Sequence, residues 1–216
     1  MCAWCSAWRN RHKHSSLQTA IMRKSVLSIK RFIGLMLATL ASLVSLLPAP
    51  GSAAESLSSA IQAKLDEKVK VIQEWAISPV IVKAVLQRNS TPLTEVASMN
   101  QEQWKTVSML NPVIKLFTKN EAADFLKTKK DVAVTEAFLS AADGTKIAFL
   151  SKTTNWSHSG KPKHDQAMAG KTWQGSVEVD ESTGAQQIQL SVPVLSEGKP
   201  VGSLVVGFSL SKLTGN

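Results

Sequence analysis

Apolar side chains recur every third or fourth residue as far as about position 126, and from about position 132 they tend to alternate with polar ones. That change of period narrows the possible folds sharply, because the first spacing buries one stripe of a helix and the second one face of a strand. Leu57, Ile61, Leu65, Val69, Ile72 and Ala76 form the first stripe and predict a long helix over 55–77. Ser78-Pro79 predicts a restart, with Ser as N-cap and Pro at the first helical position, and a second helix carrying Val82, Val85 and Leu86 to about Asn89. A third helical stretch is predicted to hold Trp104, Val107, Met109 and Leu110 and to stop at Asn111-Pro112. Asn120 is placed to cap a fourth, with Ala123, Phe125 and Leu126 on it.

The second half reads as strands joined by tight turns. Residues 132–139 and 146–151 flank Asp143-Gly144, a hairpin signal. Residues 173–179 predict a third strand, and Ser182-Thr183-Gly184 turns the chain. Ile188, Leu190, Val192 and Val194 then alternate with Gln187, Gln189, Ser191 and Pro193, the pattern of a half-buried strand. Glu197-Gly198 turns it again into a fifth strand over 201–208. Helices first and five strands after them predict an α+β domain with an antiparallel sheet. The one long connection, 152–170, is polar and has a short helix predicted at 165–169. Long connections inside compact domains usually carry function.

The formal net charge is +9, which by itself would suggest nucleic acid. Its distribution says otherwise. Seven of the 25 basic residues precede position 55 and none of the 16 acidic ones does, so the remainder carries 18 basic against 16 acidic residues. The excess belongs to a leader, and no nucleic-acid partner is expected. Residues 22–54 read as a signal peptide: Arg23, Lys24, Lys30 and Arg31 form a positive region, 32–47 an apolar run, Pro48 to Gly51 a helix breaker, and Ser52-Ala53-Ala54 a small-residue cleavage site. The apolar run has 16 residues, short of the roughly 20 that span a bilayer. An uncleaved N-terminal anchor is the alternative. Residues 1–21 do not fit a signal peptide and read as an extension before a true start at Met22. Cys2 and Cys5, the only cysteines, lie there with His12 and His14, too closely spaced for the usual zinc module. The mature chain, 55–216, is expected to be periplasmic or secreted, without disulfide, thiol chemistry or cofactor.

The order of these pieces resembles the Cache (PDC) family of extracytoplasmic sensor domains, which are PAS-like. The resemblance runs over nearly all of 55–213. It is carried by the long amphipathic helix, the Glu-Trp-Ala-Ile-Ser-Pro step at 74–79, the hairpin at 134–148, Thr-Thr-Asn-Trp at 153–156, and the closing hairpin of 187–194 and 201–207 with Gly198 between. It implies a small-molecule sensor whose pocket lies between the sheet and the long connection. Family members usually sit between two transmembrane helices of a chemoreceptor or histidine kinase. Here no apolar run after Leu47 is long enough to span a bilayer, so a solitary form that signals by docking on a membrane receptor or kinase is implied. The chain has no Tyr, so the tyrosine-rich amino-acid signature of some relatives is missing.

Seven residues are candidates for the ligand site. On or beside the long connection stand Trp156, His158, Lys163 and Trp173, where an indole would pack on a ligand and a cation would meet a carboxylate. The plainer reading is that the indoles pin the connection to the sheet and the charges are solvated. Gln189 and Ser191 share a strand face and offer hydrogen bonds to a polar ligand, and Glu136 is a carboxylate in mid-strand, sharing a face with Val134 and Phe138. His158 and His164 lack a third ligand for a metal site. No nucleophile elbow, zinc helix or phosphate loop is present, so an enzyme is not expected. The partner is a small organic ligand, a carboxylate among the candidates. The alternative function is a protein-interaction module of the same fold with no ligand pocket.

Overall fold

The computed structural model describes residues 57–179 and 184–214. The leader, its cleavage site, the cysteines and residues 1–21 lie outside the described residues. Among the described residues five α-helices come first. Helix α1, Ser59–Ala76, starts where the Ser58 side chain accepts the Ile61 N–H at 3.3 Å. Pro79 opens α2, Pro79–Ser90, at the first turn as predicted. Helix α3 is Gln101–Thr106 and opens with a reciprocal capping box between Asn100 and Gln103. Helices α4, Lys115–Thr118, and α5, Glu121–Lys129, follow, and Asn120 caps α5 through the Ala123 N–H at 2.8 Å. The third helix is shorter than its sequence pattern: it ends at Thr106, and Met109 and Leu110 are exposed in the turn before Pro112. Its one buried residue is Trp104.

The strands are β1, Val134–Ala141; β2, Lys146–Phe149; β3, Trp173–Gln174; β4, Glu178–Val179; β5, Gln186–Ser196; and β6, Lys199–Ser209. Helix α6, Pro162–Met168, interrupts them between β2 and β3, and α7, Leu210–Thr214, closes the described chain. All strand pairs are antiparallel, in the order β2-β1-β6-β5-β3, with β4 pairing farther along β5. The α+β expectation holds, with six strands among the described residues where five were expected. The predicted strand at 173–179 is split: Gly175 donates to Gln189 O at 2.8 Å, and a Cβ on it would meet the Trp173 ring at 2.8 Å, so the chain breaks there into β3 and β4. Glu197 and Gly198, both at positive φ, form the two-residue turn joining β5 to β6.

One sheet face carries Leu139, Ile188, Leu190, Val192, Leu204 and Val206 and packs under α1 and α2. Leu65 and Ile72 of α1 are fully buried in this core, each stabilising the fold by about 1.5–3 kcal/mol. The other face is also covered, by α6 and by the segments around α3, α4 and 150–161. Strand β5 is therefore buried on both faces, which corrects the half-buried reading: Gln187 and Gln189 are 6% exposed and Ser191 0%. Trp104, Phe117, Phe149 and Trp156 form a second core on this side. Among the described residues, no helix is long and apolar enough to cross a membrane.

Candidate functional site

Covering a sheet face that bears glutamine, serine, glutamate and lysine forces each of these groups to find a partner. Cross-strand register places Glu136, Gly207 and Gln189 side by side on β1, β6 and β5. A Cβ on Gly207 would come within 2.6 Å of the Thr135 hydroxyl and 2.8 Å of Glu136 Cγ. The missing side chain is what lets residues from β1 and β5 meet across the strand between them. A register shift between Val134 and Glu136 turns both Thr135 and Glu136 toward this side. Val134 packs in the core on the opposite face, so the expectation that it shares a face with Glu136 is corrected by the bulge.

A single chain of hydrogen bonds results. Gln189 Nε2 donates to Glu136 Oε1 at 2.5 Å, and Gln187 Nε2 donates to the same oxygen at 3.3 Å. The Thr135 hydroxyl donates to Gln187 Oε1 at 2.6 Å. Lys163, from α6, donates to Gln189 Oε1. Burial lowers the Lys163 pKa, while Glu136 and Glu178 pull it back up and Lys161 lowers it further. The helix that carries it is fixed from three sides. Ser191 Oγ donates to Lys163 O at 2.5 Å, Gly160 N–H donates to Asp165 Oδ1 at 3.0 Å, and His164 Nδ1 lies 2.8 Å from Ser203 Oγ.

Behind this network sits Lys146, fully buried on β2. Its Nζ touches His158 Nδ1 and lies 3.5 Å from both Ser140 Oγ and Gly144 O. It makes no ion pair among the described residues. Burial pushes its pKa down to about 7, with Lys163 adding to the effect and Asp143 opposing it. His158 stacks on Phe138 with ring centroids 4.6 Å apart. Burial first, and Lys146 second, hold it neutral. The ammonium form of Lys146 can only donate, so opposite it neutral His158 accepts at Nδ1 and carries its proton on Nε2.

A cleft of about 640 Å³ lies between the sheet and the connection, with Glu136, His158, Lys163, Gln187, Gln189 and residues 151–155 among its walls. The connection is pinned there by Trp104 Nε1, which donates to Thr153 O at 2.7 Å, and by Gln101, which accepts from Trp156 N and donates to Thr154 O. Of the seven sequence candidates, the structure brings Glu136, His158, Lys163 and Gln189 together on the cleft. Ser191 lies under α6 and holds Lys163 rather than lining the space. Trp156 does not reach it: the indole is 8% exposed and packs on Trp104 and Phe117, with centroids at 5.2 and 5.8 Å. The reading that places Trp156 on the ligand is corrected for this cleft by that aromatic cluster. Trp173 stands half-buried on β3, opposite Ser191, and does not border the cleft either. Lys146 and Thr135 went unrecognised in the sequence, and Gln187 was not carried among the candidates. Gln187 had a signal, sharing the period of Gln189; Lys146 had none.

No family model and no curated protein matches the chain. Among solved structures it is similar to the sensor domain of the V. cholerae histidine kinase DctB, at 19% identity and a TM-score of 0.44, over 72% of this chain and 53% of that one. It is also similar to the ligand-binding domain of the Pseudomonas aeruginosa PAO1 amino acid chemoreceptor PctC in complex with GABA, at 19% identity and a TM-score of 0.43, over 72% of this chain and 58% of that one. The E. coli DcuS sensor domain is matched at 13% identity and a TM-score of 0.41, over 72% of this chain and 95% of that one. The chain thus spans a little over half the length of the first two. At such TM-scores the likeness assigns this chain no ligand.

Proposed function

We propose that the chain is an exported sensor domain that binds a small polar organic molecule in the cleft between β1, β5 and α6, and passes the signal to a membrane receptor or kinase. The carrying observation is the convergence of Glu136, Lys163, Gln187 and Gln189 on one cleft of about 640 Å³, within the range of about 300–1,000 Å³ common for small-molecule sites. Lys163 supplies the cation for a carboxylate, and Glu136 with the two amides supplies the orientation. An incoming carboxylate would replace Gln189 Oε1 on Lys163 and free that amide oxygen for a donor on the ligand. The reading needs no cofactor and no chemical step. Export with cleavage near Ala54 rests on the leader's positive region, apolar run and small residues.

A thermal-shift screen of short hydroxy- and amino-carboxylates tests the binding. A ligand at 100 times its dissociation constant should stabilise the protein by about 2.7 kcal/mol. Lys163→Met and Gln189→Ala should remove that shift while the unliganded protein stays folded. Binding that both variants retain would move the site elsewhere. N-terminal sequencing of the protein from a periplasmic extract should begin within a few residues of Glu55; recovery only from membranes with 32–47 attached would show an anchor.

A further inference from the structure

A second cavity, of about 420 Å³, lies between the C-terminal end of α2, the 92–99 turn and the β1–β2 hairpin, and shares no lining residue with the cleft. Its one cation is Arg88, half-buried, whose guanidinium sits 5.9 Å from the Phe117 ring centroid. Among the described residues Arg88 makes no hydrogen bond and no ion pair. Burial disfavours its charge and lowers its pKa; Asp143 and Glu95 are near enough to oppose that, but neither pairs with it. The guanidinium nitrogens reach solvent rather than being buried without a partner, so their donors are open to an acceptor on an incoming molecule. The remaining walls are mixed: Leu93, Val96, Met99 and Trp156 give an apolar side, and Asn89, Asp143 and Thr145 a polar one.

The cavity is built in advance of any occupant. Asn89 staples the end of α2 to the sheet by donating to Val201 O at 2.8 Å and accepting the Ala142 N–H at 3.0 Å. Asp143 Oδ1 is engaged in its own turn, accepting from Thr145 N and Oγ1 at 2.9 and 2.7 Å. That carboxylate also borders the cavity, and it repels any negative charge bound there, a dianion about twice as strongly as a monoanion. We propose that this cavity is a second binding site, for a small monocarboxylate with an apolar body, whose carboxylate is held bidentately by Arg88 and whose chain lies against Trp156 and Leu93. The site is independent of the cleft and does not rest on the function proposed for it. It also gives the 156 indole a role at this second site that it lacks at the cleft.

The test is titration of the purified full chain with pentanoate, followed by indole fluorescence and calorimetry. Pentanamide and glutarate serve as the uncharged and doubly charged comparisons. Saturable binding of pentanoate, at least ten-fold tighter than either comparison, is expected. Arg88→Gln should weaken it ten-fold or more, with the parent's unfolding midpoint retained. Ala97→Phe, which fills the mouth from an exposed position and leaves the guanidinium alone, should abolish it. Lys163→Met should leave it unchanged. The proposal is overturned if pentanoate fails to saturate the parent, if Arg88→Gln and Ala97→Phe both bind it as the parent does, or if Lys163→Met removes it.

Discussion

Replacing Lys146 with Met should stabilise this protein at neutral and lower pH, and the effect should vanish as the solution becomes alkaline. The Lys146 ammonium is fully buried, with two oxygens at 3.5 Å and a neutral imidazole as its polar surroundings. Its pKa falls from 10.5 to about 7. At 1.36 kcal/mol per unit, that difference amounts to about 5 kcal/mol of penalty on the protonated folded form. The sign follows from the protons bound. Between about pH 7 and 10.5 the unfolded chain holds the Lys146 proton and the folded chain does not, so unfolding takes up a proton and stability rises with pH. Below about pH 7 both states are protonated and the full penalty is present. Met fills much of the same volume without a charge. It forfeits contacts to Ser140, Gly144 and His158 worth about 0.5–1.5 kcal/mol each. The net gain at about pH 6 should be about 0.5–3.5 kcal/mol, shrinking to nothing or reversing near pH 10. Urea unfolding followed by circular dichroism, at a series of pH values, reads both the magnitude and the slope. A Lys146→Met protein less stable than the parent at pH 6, or a difference that does not change with pH, would refute the reasoning.

Gly207→Ala should cost about 1–3 kcal/mol, because its Cβ would be forced against Thr135 and Glu136; the same change should erase ligand binding in the cleft, read as loss of the thermal shift. Trp156→Ala should lower stability by about 3–5 kcal/mol by emptying the second core. Measured on the ligand-induced shift rather than the absolute midpoint, it should leave the cleft's affinity intact. Glu136→Gln should weaken a ligand that donates hydrogen bonds and spare one that only accepts, a split visible by calorimetry.

The fold was legible where a local signal had no competitor. Pro79 and Asn120 start their helices as read, and the Asp143-Gly144 and Glu197-Gly198 turns close the hairpins. Two elements misled for tertiary reasons. The apolar run to Leu110 looked helical as far as Asn111-Pro112, yet the helix ends at Thr106 and Met109 and Leu110 are exposed. Strand β5 looked half-solvated because glutamine and serine are polar; α6, far from it in sequence before β3, covers that face. The site was half legible for the same reason. Glu136, Lys163 and Gln189 stood out as polar groups in apolar or looped settings. The bulge at Thr135, the gap at Gly207 and the burial of Lys146 depend on which strands neighbour which, and hydrophobic period carries no such information. Trp156 shows the limit from the other side, since a buried indole and a ligand-facing one look alike in sequence.

The most direct test of the central claim is calorimetric titration of the parent, Lys163→Met and Gln189→Ala with the best carboxylate from the thermal-shift screen, with Arg88→Gln run alongside. The account predicts one-to-one binding to the parent at the cleft, at least ten-fold weaker binding to both cleft variants, and unchanged binding to Arg88→Gln. Undiminished affinity in both Lys163→Met and Gln189→Ala would contradict it.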